Sequence, residues 1–159
     1  MGYAIGWMIR FTAAVLALAA SLSAGCGDAD DWPRPKLTAI PAPPDVSVPP
    51  ADAVMMPSGL AYRILKTGGG SIKPRPDQII VVHYTGWTRK GEMFDSSVAR
   101  GKPLTYPLGK LIPGWIEGMG MMTIGEKRRL WIPGALAYDG FPKRPQGMLV
   151  FDVELLDVR

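Results

Sequence analysis

Glycine and proline punctuate this chain so often that long regular helices have no room: 19 Gly and 16 Pro are spread over 159 residues. Glycine costs entropy to order and proline lacks a backbone donor, so both collect at turns and strand ends. A helical bundle or a coiled coil is thereby excluded, and short strands joined by turns are expected. At 47% hydrophobic and 20% charged, the chain still has enough apolar matter for a core. One Cys and one His cannot build a zinc framework, a disulfide scaffold or a Cys/His metal cluster.

Six stretches between these punctuation marks have strand character. Gln78–Trp87 (QIIVVHYTGW) is the strongest, being β-branched and aromatic throughout. Residues 59–66 alternate until Gly68-Gly69-Gly70 stops them. A turn at Arg89-Lys90-Gly91 leads into a short strand at 92–94. Residues 103–108 read as an edge strand because of Pro107, and 125–132 and 148–158 complete the set. Only Pro113–Met119 reads as helix: Pro stands at its start, and Trp115, Met119 and Met122 fall at i, i+4 and i+7. The pattern predicts an α+β domain of about five antiparallel strands wrapped over one short helix.

The front of the chain reads differently. Residues 11–22 (FTAAVLALAASL) are an apolar run of 12, preceded by Arg10 and followed by Ser23-Ala24-Gly25. That run is too short to span a bilayer comfortably. Charge, apolar run and small residues are the layout of a secretory signal peptide over residues 1–25. The uncharged stretch before Arg10 suggests a start at Met8. Leu22–Cys26 resembles a bacterial lipoprotein box, in which the Cys is lipidated and becomes the new N-terminus. Cys26 is then the lipidation site and a membrane anchor, and Gly27 after it points to the outer membrane. Ser23 departs from the aliphatic residue usual in that box, and an ordinary signal peptide beside an incidental Cys is the alternative.

Residues 26–57 hold eight of the prolines, five Asp and two basic residues, a net charge of −3. With little hydrophobic periodicity, they are expected to form a disordered, extended tether of about 3 Å per residue where polyproline geometry holds. Residues 58–159 carry 15 Lys/Arg and nine Asp/Glu, a net +6. The run Lys127-Arg128-Arg129 raises the idea of nucleic-acid binding, but strand alternation sends its members to opposite faces. It reads as solvated surface, and no nucleic-acid partner is expected.

Conventional reactive sites are missing from the sequence. His83 lies mid-strand with no nucleophile elbow nearby, and reads as a half-buried hydrogen-bonding residue. Glycines 68–70 lack the Lys-Ser/Thr and the helix of a phosphate loop, and no paired carboxylates stand out. What remains is a set of aromatic and aliphatic residues interleaved with one acid, Asp95.

The order of these residues carries a resemblance. Val82-His83-Tyr84-Thr85-Gly86, Phe94-Asp95-Ser96-Ser97, Ile112-Pro113-Gly114-Trp115, Gly125–Arg129, Leu136-Ala137-Tyr138 and Leu149–Leu156 together resemble the FKBP-type peptidyl-prolyl cis-trans isomerases, in the family's order, from about Pro57 to Arg159. The resemblance implies a half-wrapped five-stranded antiparallel sheet around the helix, with an aromatic pocket between them. It places Tyr84, Phe94, Leu111, Trp115 and Phe151 as substrate-binding positions, with Tyr106 as an aromatic wall. Asp95, Tyr138 and Ile112 take catalytic roles, the last through its backbone N–H. Arg100 stands where the family often has a basic partner for the acid, and Leu104 replaces a residue that is frequently aromatic.

Two segments depart from the family pattern. Asp139 stands where a Gly is usual, and the loop 139–147 is several residues shorter, with Phe141 as a candidate cover for the pocket. The turn before Ile112 is about one residue shorter. The implied activity is rotation of X–Pro bonds during folding of exported proteins, with no metal or cofactor, proline-containing polypeptides as substrates, macrolides as inhibitors, a cell-envelope location and a monomeric state. The alternative is a catalytically weak module that binds proline-containing segments in the envelope.

Overall fold

The computed structural model describes residues 38–159; the expected signal peptide and Cys26 lie outside them. The elements run β1 (Val54–Met55), β2 (Ala61–Lys66), β3 (Ile79–Thr88), β4 (Met93–Ser96), β5 (Leu104–Pro107), a 3₁₀ turn (Leu108–Lys110), α1 (Pro113–Met119), β6 (Lys127–Ile132), a 3₁₀ turn (Gly134–Leu136) and β7 (Leu149–Val158). One antiparallel sheet holds all seven strands in the order β1-β2-β6-β7-β3-β4, with β5 also on β3. The expected five strands correspond to five positions across the sheet. β4 and β5 share one edge of β3, pairing with residues 85–87 and 79–82 respectively, and β1 adds a two-residue rim on β2. The α+β class is as expected.

β3 is the hub because its β-branched, aromatic sequence tolerates neighbours on both edges. It pairs with β7 from Ile80↔Val158 to Thr88↔Leu149, with one register shift at Val81/Val82. Its even-numbered residues, Ile80, Val82 and Tyr84, join Leu130, Ile132, Phe151, Val153 and Leu155 on the concave face. There they meet Trp115 and Met119 of α1 and Met122, which lies beyond the end of the helix; all three are buried, although the helical spacing read from the sequence holds only for the first two. The helix approaches β6 closely because its contact residues are glycines. A Cβ on Gly114 would stand 2.3 Å from Ile132 Cγ2, and one on Gly118 would stand 2.9 Å from Leu130 Cδ1.

The convex face departs from expectation. Residues 38–57 are not a free tether but a strap lying against the sheet. The Trp87 indole N–H donates to the Ile40 carbonyl and the Trp131 indole N–H to the Asp45 carbonyl, each at 2.9 Å. Asp45 also pairs with Arg129 at 2.5 Å and Arg63 at 2.9 Å, while Val46 and Ala53 pack on the cluster Ala61, Trp131 and Val150. The reason is that a proline-rich strand needs no ladder of its own. Its carbonyls accept from indoles, and its side chains supply the packing that periodicity did not announce.

Beneath the strap, the run 127–129 is not solvated surface. Alternation does separate its members, but Arg128 and Arg129 are both buried. Arg128 is ion-paired with Glu126 and lies 4.5 Å from the Tyr62 ring centroid. Arg129 pairs with Asp152 at 2.6 Å as well as with Asp45. A carboxylate two residues away neutralises Arg128, and carboxylates distant in sequence neutralise Arg129. His83 behaves as read, half-buried with Nδ1 at 3.1 Å from Ser97 Oγ. Among the described residues no helix is long and apolar enough to cross a membrane.

Candidate active site

A cleft of about 70 Å³ opens between the concave face of the sheet and the N-terminus of α1, lined by Tyr84, Phe94, Asp95, Leu104, Leu111, Ile112, Trp115, Tyr138 and Phe151. Each ring arrives by a separate route. Tyr84 and Phe151 sit on adjacent inner strands, Phe94 on β4, and Trp115 in the first turn of α1. Pro113 fixes that turn, and the Ile112 carbonyl accepts from the Trp115 N–H at 2.9 Å. The rings meet edge to face: Trp115 lies 5.1 Å from Tyr84 at 81° and 5.3 Å from Phe151 at 87°, and Phe94 lies 5.5 Å from Phe151 at 90°. This geometry sets positive ring edges against negative faces and locks the walls. Gly86 makes room for them, since a Cβ there would stand 2.7 Å from both the Phe94 and Phe151 rings.

The polar groups are few and differently engaged. Asp95 is ion-paired with Arg100 and accepts from the Tyr84 hydroxyl at 2.5 Å, while Arg100 Nη2 donates to that hydroxyl at 2.9 Å. The carboxylate is therefore held in place from two sides. Burial, and then the bond to Asp95, push the Tyr84 hydroxyl up to about 12, so it stays protonated. Burial also raises Tyr138; the Arg144 charge opposes this and the Asp95 charge adds to it. Among the described residues, neither the Tyr138 hydroxyl nor the Ile112 N–H has a hydrogen-bond partner in the protein. Two donors thus stand at the mouth of an apolar cleft.

Eight of the residues anticipated from sequence line this cleft, and Leu104 joins them. Tyr106 does not. Strand side chains repeat every two residues, so Tyr106 shares a face with Leu104 but lies about 7 Å further along β5, where it is exposed and paired with Ile80 instead. Leu104 supplies the wall in its place. Phe141 is 61% exposed and lines no part of the cleft. The short loop is instead closed by its own side chains. Asp139 Oδ1 accepts from the Gly147 N–H at 2.7 Å, and Gln146 Nε2 donates to the carbonyls of Tyr138, Phe141 and Arg144. Nothing in the local sequence announced Gln146; a lone amide between Pro and Gly reads as an ordinary turn residue.

The geometry agrees with relatives of known kind. A family model described as FKBP-type peptidyl-prolyl cis-trans isomerase matches residues 70–156. The FKBP-type peptidyl-prolyl cis-trans isomerase FkpA of Aeromonas hydrophila is 48% identical over 104 residues, covering 64% of this chain and 38% of the relative. The FKBP-type 22 kDa peptidyl-prolyl cis-trans isomerase of Escherichia coli is 47% identical over 105 residues, covering 64% and 50%. The crystal structure of FkpA from Escherichia coli superposes with a TM-score of 0.65 at 41% identity, covering 69% of this chain and 53% of that one. The chain thus spans half or less of the length of the two sequence relatives. With the family's motifs in order, its fold reproduced and the matched region containing the whole cleft, the chain belongs to the FKBP-type peptidyl-prolyl cis-trans isomerases.

Proposed function

We propose that the protein is an active peptidyl-prolyl cis-trans isomerase that assists the folding of exported polypeptides. The observation that carries this reading is the cleft itself: interlocked rings below, and at its mouth two donors, Ile112 N–H and Tyr138 O–H, that have no partner among the described residues. Rotation about an X–Pro bond faces a barrier of about 20 kcal/mol because amide resonance is lost when the bond twists. No new covalent bond is needed, so a site without nucleophile or metal suffices. Water favours the planar, charge-separated amide; an apolar cleft removes part of that advantage.

Trp115, Phe94 and Phe151 hold the prolyl ring, with Leu104 and Leu111 beside them. The Ile112 N–H and the Tyr138 hydroxyl donate to the substrate's carbonyls. Asp95, held by Tyr84 and Arg100, supplies a fixed negative charge at the cleft edge that favours the twisted amide. Interactions stronger in the twisted form than in the planar one lower the barrier, and a thousandfold gain needs only about 4 kcal/mol.

The rest of the reading follows from the front of the chain. Signal peptide, Cys26 lipid anchor and strap together describe a monomeric, envelope-anchored isomerase, working where no ATP is available. Several acyl chains, at about 0.8 kcal/mol per buried CH₂, hold such a protein without a spanning helix. Mass spectrometry of the mature N-terminus is expected to find an acylated Cys26; an unmodified one removes the anchor from this account.

Proline-limited refolding tests the activity directly. The purified protein is expected to accelerate the slow phase, and a macrolide of the kind the family binds is expected to abolish that acceleration and quench Trp115 fluorescence. Asp95→Ala and Tyr138→Phe are each expected to lower kcat/KM by about tenfold, ~1.4 kcal/mol of barrier, with the fold retained. Binding of proline-containing segments without any acceleration overturns the enzyme reading in favour of a passive module.

A further inference from the structure

Charge is distributed unevenly around the cleft mouth. Its lining carboxylate, Asp95, is held by Arg100 and Tyr84. The acid of the neighbouring loop, Asp139, is turned inward onto the Gly147 N–H. Arg144 stands differently. It is exposed, its guanidinium carbon lies 5.7 Å from the centroid of the Tyr138 ring, and among the described residues no carboxylate pairs with it. Its charge reaches the Tyr138 hydroxyl, whose ionisation it influences.

The loop that carries Arg144 is tightly organised for an exposed segment. The Gln146 side chain ties four backbone groups: Nε2 donates to the carbonyls of Tyr138 at 3.2 Å, Phe141 at 2.9 Å and Arg144 at 2.8 Å, and Oε1 accepts from the Gly140 N–H at 3.3 Å. Lys143, just before Arg144, is the non-glycine with positive φ among the described residues, at 65°. A side chain held in that region is over-determined by its surroundings. The backbone is thus fixed where it presents Arg144 beside Tyr138.

Resting on the isomerase reading, we propose that Arg144 determines substrate preference, selecting segments in which the residue before proline carries a carboxylate. With the prolyl ring on Trp115 and a substrate carbonyl on the Tyr138 hydroxyl, the side chain of that residue leaves the cleft past the Tyr138 ring. The guanidinium, 5.7 Å from the ring centroid, meets it there. Its planar fork matches a carboxylate in two bonds, and among the described residues no acid competes for it. Gln146 acts as a positioning residue, holding the loop carbonyls so that the guanidinium stays over the ring.

The test uses the full protein and uncharged-capped peptides acetyl-Ala-Xaa-Pro-Phe-amide with Xaa Glu, Gln or Lys, read by NMR exchange between cis and trans. The kcat/KM ratio of the Glu to the Gln peptide is expected to be about two- to fivefold, as for a partly exposed ion pair, and to shrink toward one at about 0.5 M salt. Arg144→Gln is expected to bring the ratio to about one, and Arg144→Glu to invert it in favour of the Lys peptide. Gln146→Ala is expected to reduce the ratio while the Gln peptide is still isomerised. A wild-type ratio of one, or a ratio unchanged by Arg144→Glu, overturns the assignment while leaving the isomerase intact. Acceleration of none of the three peptides overturns the isomerase reading and this inference with it.

Discussion

Tyr84 shows how one residue ties fold and site together. Its ring walls the cleft against Trp115, and its hydroxyl donates to Asp95 while accepting from Arg100. Burial disfavours the ionised hydroxyl, and its bond to Asp95, where ionisation would set a second negative charge, adds to this, so it is pushed up to about 12 from an ordinary value of 10.0. A raised folded value means that the folded protein keeps a proton the unfolded chain has lost. Stability from this source is therefore complete below about pH 10 and declines as pH rises from about 10 to about 12. Urea midpoints measured across that window are expected to fall, and Tyr84→Phe is expected to flatten the fall, leaving the smaller contribution of Tyr138, whose shift has the same sign. A wild-type curve as flat as the variant's removes the Tyr84–Asp95 bond from the account.

At the scale of elements, the outcome turns on where glycine lets two pieces meet. Gly86 on β3 sits beneath the Phe94 and Phe151 rings with no room for a Cβ, while Gly114 and Gly118 let α1 settle onto β6. Gly86→Ala forces both rings outward, and the open space they enter is the cleft. The expected result is a loss of about 1–3 kcal/mol of stability together with a drop in kcat/KM of more than tenfold, measured by denaturation and peptide isomerisation on one preparation; an alanine variant of normal rate shows that the rings yield elsewhere. The strands and the helix were legible because β-branching over Ile79–Thr88 and the i, i+4, i+7 spacing of Trp115, Met119 and Met122 are local signals. So were the seven lining residues that fall within family motifs, with Leu111 directly before one of them. Tyr106 was misplaced because a motif fixes a strand's register and not how far the cleft extends along it. Gln146 escaped notice because its partners are backbone carbonyls, which look alike in any sequence.

The whole molecule adds what no single element predicts: a sheet with two covered faces. Alternation on β3 and β6 put Trp87 and Trp131 opposite the helix-facing residues, and two tryptophans on one convex face were a sign that something lies over them. The strap that does so reads as low-complexity spacer because its own residues alternate with nothing. Its anchor, Asp45, accepts from Arg63 and Arg129 with its carboxylate and from Trp131 with its carbonyl. Without it, Arg129 retains only Asp152 and Trp131 loses its acceptor. Relative to a chain beginning at Thr38, one beginning at Ser58, where the sequence pattern placed the domain's start, should therefore lose about 1–3 kcal/mol, the cost of stripping the Trp131 indole of its acceptor and Arg129 of one of its two carboxylates. Asp45→Asn, which keeps the carbonyl and the packing, should lose about half of that, separating charge from burial. Both would appear as lowered denaturation midpoints with red-shifted tryptophan emission. The strap lies on the face opposite the cleft, so peptide isomerisation by whatever remains folded should be little changed. Equal midpoints for the chains starting at 38 and 58 would show instead that the strap merely rests on the sheet, and that the convex face holds itself together without it.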